Sequence, residues 1–136
     1  MNYDTEDDSL ARGQTLLANK INELVTLCYQ EAYKAGWHTD KDGNLLDMNK
    51  GERLMLIVTE VAEAMEGERK NLMDDHLPHR KMAEVEMADA IIRICDYCGR
   101  FNHKDLGGAI IEKMLYNRQR PDHKRENREK EGGKSF

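Results

Sequence analysis

Two pairs of acidic residues, Glu60-x-x-Glu63 and Glu86-x-x-Asp89, restrict this chain more than any other feature of it. Residues three apart stand on one strip of an α-helix, so each pair offers two carboxylates to the same point. Twenty-two residues separate the pairs (64 through 85), enough to end one helix, turn and begin another. Four carboxylates brought together from two helices repel one another and titrate upward unless a cation lies between them. No Cys or His falls at these spacings, so the ion that suits the set is hard and oxygen-seeking, Mg2+ or Mn2+. One such pair alone is ordinary solvated helix surface. Two at this separation, each beside an apolar stripe, point to a metal site with Glu60, Glu63, Glu86 and Asp89 as ligands.

Read in order, the chain is helical throughout. Residues 1–8 form an acidic, flexible lead-in. Ser9 is placed to cap a first helix, and Leu10, Leu16, Leu17, Ile21, Leu24, Leu27 and Cys28 recur at helical spacing until Gly36 ends it. The polar loop 37–44 has the look of a calcium loop but fails on register, with His38 and Asn49 falling where acids are required. Asn49, with Glu52 three residues on, opens a second helix. Its stripe Leu54, Val58, Val61 and Met65 is the expected core face; Glu60 and Glu63 fall on the far side, and Gly67 weakens the end. Pro78 marks a break. A third helix is expected from near His79, with Ala83, Met87, Ala90, Ile91, Ile94 and Cys98 as its apolar stripe and Glu86, Asp89, Arg93 and Asp96 along the adjoining edge. Asp105 caps a fourth, which buries Ile110, Ile111, Met114 and Leu115, sets Lys113, Asn117 and Arg120 in line on the opposite side, and stops at Pro121. Residues 121–136 read as a polar, mobile tail.

These elements make the chain all-α, a four-helix bundle over residues 9–120. Apolar residues on two sides of the helices suggest self-association, since one bundle leaves part of them wet. A net charge of −5 argues against general nucleic-acid binding, which needs a basic footprint. No apolar run reaches membrane-span length, and the acidic start is unlike a signal peptide, so a cytoplasmic protein is expected. Three cysteines suit a reducing compartment. Cys95-x-x-Cys98 lies inside a helical pattern with no second Cys pair and reads as packing.

The acid pairs and their flanks, Ala62 to Lys70, Asp74 to Arg80 and Ala88 to Ile94, resemble the MazG-like family of all-α nucleoside triphosphate pyrophosphohydrolases, in particular its short phage-type members. The likeness spans roughly residues 30 to 120. It implies hydrolysis of a (deoxy)nucleoside triphosphate, dGTP among the candidates, between the α and β phosphates, by a homodimer or homotetramer that shares its bundle between chains. Glu60, Glu63, Glu86 and Asp89 then hold Mg2+ or Mn2+, one glutamate doubling as base. Lys113, Asn117 and Arg120 match the family's basic cluster and become phosphate donors, with Arg69, Lys70 and Arg80 as weaker candidates. Trp37 is a candidate stacking surface for the base and equally a candidate core plug; His38 is a candidate reader of the base edge. Some relatives carry an aromatic residue where this chain has Arg93, which instead suits an orienting contact to Glu86 or Asp89. His76, His79 and His123 read as incidental.

Two rival classes differ in chemistry. A ferritin-like di-iron bundle needs Glu-x-x-His pairs, and no Glu here has His at the third position. A noncatalytic helical module that merely binds a divalent ion or a basic partner remains the alternative.

Overall fold

The computed structural model describes residues 9–136, with side chains from residue 13 onward. The acidic lead-in 1–8, the capping role of Ser9 and the packing of Leu10 lie outside the described side chains. The elements are α1 (Ser9–Lys34), α2 (Lys50–Lys70), α3 (Met82–Arg100), α4 (Leu106–Gln119), a 3-10 turn (Pro121–His123) and α5 (Arg125–Arg128). Two isolated bridges, Thr39 with Leu45 and Met73 with Lys81, are the only β pairing among the described residues. The protein is all-α. No helix is long and apolar enough to cross a membrane.

The described residues form two compact units, one of residues 23–104 and the other of residues 9–22 together with 105–136. In the first, α2 and α3 make an antiparallel hairpin, Gly67 lying against Met82 while Glu60 meets Arg93. The second half of α1 packs on α3, where Cys28 and Cys95 share a hydrogen bond and Tyr29 covers Gly99. Val25, Cys28, Ala64, Ala90, Cys95 and Cys98 are its buried apolar residues. Cys95 and Cys98 are thus packing residues with free thiols.

Local chemistry explains the boundaries. The Asn49 side chain accepts from Glu52 N–H and starts α2. Gly67 does not weaken the helix end: α2 runs on to Lys70 and closes with Asn71 in the left-handed region, φ 50°. Gly67 is instead a contact point, because a Cβ there would come within 3.0 Å of Met82 Cβ. The third helix begins at Met82, three residues later than expected from His79. Residues before it are held extended by the Met73–Lys81 bridge, and the buried Asp74 carboxylate accepts from His76 N–H and Leu77 N–H.

One expectation is inverted. Leu54, Val58, Val61 and Met65, the expected core stripe of α2, are exposed, and the strip packed on α3 is Glu60, Ala64 and Gly67. On α3 the expected stripe splits: Ala90 and Cys98 are buried, joined by Glu86 and Cys95, while Met87, Ile91 and Ile94 are outside. Small side chains allow close helix approach, so the hairpin closes along the alanine and glycine strip and takes the carboxylates with it.

In the second unit the Asp105 side chain accepts from Gly108 N–H and caps α4. Gly107 rests so closely on Ala18 that a Cβ would meet the Ala18 carbonyl. Ile111 is the buried residue of the expected set, and Met114 is exposed. After Arg120 the chain turns at Pro121–His123 and forms α5, with Asp122 bridged to Arg120 and Lys134.

Candidate metal centre and cleft

Two turns of α2 and one of α3 supply the acidic cluster. Glu60, Glu63 and Glu86 each place a carboxylate oxygen within 4.8 Å of the others. Glu60 is 8% exposed and Glu86 9%, whereas Glu63 is exposed. Asp89, one turn beyond Glu86, lines the same cleft as Glu60. Arg93 Nε donates to Glu60 Oε1 at 2.5 Å, so its hydrogen bond goes to the first acid pair, while its charge also acts on Asp89.

The electrostatics are those of acids short of positive charge. Burial, first, pushes the Glu86 carboxyl up to about 7; its hydrogen bond with Glu60 and the nearby Glu63, Glu60 and Asp89 add to the rise. Burial also raises Asp89, reinforced by Glu60 and opposed by Arg93. A divalent cation in the cluster would relieve both. The donors are carboxylate oxygens alone, the set that Mg2+ or Mn2+ prefers. Opposite oxygens around Mg2+ stand about 4 Å apart, so the observed spread needs only small rotations. The residues fit the ion.

The cluster opens onto a cleft of about 780 Å³ between the second half of α1, α2 and α3. Leu24, Leu27, Ala32, Leu56 and Ile92 make its apolar wall, and Arg53, Arg93, Glu60, Asp89 and Asp96 its polar one. That volume lies in the range that holds a drug-sized ligand. Trp37 stands on the wall with 66% of its surface exposed, so it is no core plug. His38 is 2% exposed, its Nε2 2.6 Å from Asp96 Oδ1 and its ring edge-on to Tyr29. It fastens the Trp37 loop to α3 and does not line the large cleft.

The remaining cationic candidates have other engagements. Lys113, Asn117 and Arg120 belong to the second unit, on and just after α4: Lys113 lies over the Tyr116 ring, Arg120 pairs with Asp122, and Asn117 Oδ1 is buried without a partner. Arg69 and Lys70 pair with Glu66, and Arg80 with Glu84. Arg53 was legible only indirectly. It lies seven residues before Glu60, hence on the same strip of α2.

No family model, curated protein or solved structure matches the chain. What fold and site define is a class: an all-helical protein whose α2–α3 hairpin holds partly buried carboxylates at the wall of a ligand-sized cleft.

Proposed function

We propose that the chain is a metal-dependent nucleoside triphosphate pyrophosphohydrolase of the MazG-like type, releasing pyrophosphate and a nucleoside monophosphate. The observation that carries this reading is the convergence of Glu60, Glu63 and Glu86 within 4.8 Å beside a cleft with apolar walls. Glu60, Glu63, Glu86 and Asp89 hold Mg2+ or Mn2+. Bound there, the ion neutralises phosphate oxygens and lowers the pKa of an attacking water. Glu63 and Asp89, exposed where Glu60 and Glu86 are buried, are the carboxylates with access to that water. Trp37 offers its open face to the base, held in place by the His38–Asp96 pair.

The outward faces of α2 and α3 support the oligomeric part of the proposal. Leu54, Val58, Val61, Met65, Met87 and Ile91 are large, apolar and exposed, and a second copy covering them completes the bundle as a homodimer or homotetramer.

The test is pyrophosphate release from a panel of NTPs and dNTPs, dGTP included, with Mg2+ or Mn2+. Glu63→Gln and Asp89→Asn should each lower turnover about 100-fold or more while the helical circular-dichroism signal persists. Normal hydrolysis by these variants removes the site assignment. A wild type that releases no pyrophosphate removes the enzyme and leaves a metal-binding module.

A further inference from the structure

Charge along the cleft changes sign. Arg53 lies two turns before Glu60 on α2, and on α3 Arg93, Asp96 and Arg100 follow Asp89 at helical spacing. Because the hairpin is antiparallel, these strips face each other, with acids toward one end and guanidiniums toward the other. Arg53 and Arg93 line the large cleft and also a small polar pocket of about 30 Å³, whose walls include His38, Asp96 and Arg100.

The groups around this pocket leave unanswered donors. Asp96 is engaged by His38, Arg93 by Glu60, and an Arg100 nitrogen by the Leu46 carbonyl. The Arg53 guanidinium has no ion pair among the described residues. His38 Nδ1 and Arg100 Nε are buried with no hydrogen-bond partner, and the His38 side chain is almost wholly enclosed. A buried Arg100 Nε–H without an acceptor is costly and marks a place where an acceptor belongs. The small pocket admits a water or one ligand oxygen, so the body of any anion lies in the large cleft against Arg53 and Arg93.

We propose that Arg53 and Arg93 form a diphosphate-binding subsite: a ligand's phosphate chain runs along α2 from the carboxylate cluster toward Arg53, its oxygens forked by the two guanidiniums. The inference rests on the nucleotide reading above and deepens it. It names the ligand class as di- or triphosphate esters and gives the leaving pyrophosphate a place on this chain.

Calorimetric titration of the full chain with inorganic pyrophosphate in Mg2+, against orthophosphate, tests it. Wild type should bind pyrophosphate about tenfold or more tighter than orthophosphate, and Arg53→Gln should lose about tenfold or more of that affinity. Arg53→Lys, which keeps the charge, should recover part of it. A nucleoside without phosphates should quench Trp37 fluorescence equally in wild type and Arg53→Gln. Should Arg53→Gln not fold, Arg93→Gln carries the same expectation in the same titration. Equal pyrophosphate binding by wild type and variant overturns the subsite, as does equal affinity for the two anions. Triphosphate hydrolysis with KM unchanged in Arg53→Gln also overturns it and leaves the hydrolase reading standing. Arg53-dependent pyrophosphate binding without triphosphate turnover upholds the subsite and removes the hydrolase.

Discussion

Glu86 shows most directly what the cluster imposes on single side chains. Its carboxyl is raised from an ordinary 4.5 to about 7, so between those values the folded chain holds a proton that the unfolded chain has released. Stability from this group is therefore complete below about 4.5 and lost as pH climbs through about 7. Asp89, also raised, acts in the same direction. Asp40, Asp105 and Asp122 are lowered by hydrogen bonds or ion pairs, so their stabilisation is lost only in more acidic solution. Melting in EDTA should accordingly fall by a few degrees from pH 5 to 8, and Glu86→Gln should flatten that slope. Mg2+ should reverse it, because the ion needs ionised ligands and binds better as pH rises. A wild-type slope unaffected by Mg2+ would remove Glu86 from the ligand set.

At the scale of elements, the caps and breaks were legible because each is written in a few adjacent residues. Asn49 before α2, Asp105 before α4 and Gly36 after α1, at φ +85°, all act through their own backbone neighbourhood. The start of α3 was not, because it depends on Lys81 bridging to Met73 across a loop. Nor was the inward face of α2. Periodicity finds an apolar stripe but does not say whether a stripe of small residues will pack first. Gly67 tests that account. Gly67→Ala gains about 1 kcal/mol in helix propensity, yet its Cβ meets Met82 Cβ at 3.0 Å and Ala83 N at 3.1 Å. Overpacking of this kind costs about 1–3 kcal/mol, so urea unfolding should show a net loss of about 1 kcal/mol. Calorimetry should show weaker Mg2+ binding, since the hairpin carries Glu60 and Glu86 on its two arms. Unchanged stability and metal affinity would mean that close contact at Gly67 does not position the cluster.

For the whole molecule, the decisive variant is a charge on the outward face. If Leu54, Val58, Val61 and Met65 were the core of the chain, Val61→Lys would unfold it. As the structure has them, exposed, the variant should keep its helical signal and turn a dimer or tetramer into a monomer by light scattering. A wild type that is already monomeric at assay concentrations would withdraw the oligomer. The all-helical class, the acid pairs and the boundaries set by caps were determined by the sequence alone, because 3.6-residue periodicity and capping are local. Which face of each helix turns inward was decided only in three dimensions, as was the reach of Arg93 to Glu60 rather than to its own helix. So was the burial of His38 against Tyr29 and Asp96. Each depends on which small residues let two helices approach, and that is a property of the pair, not of either segment.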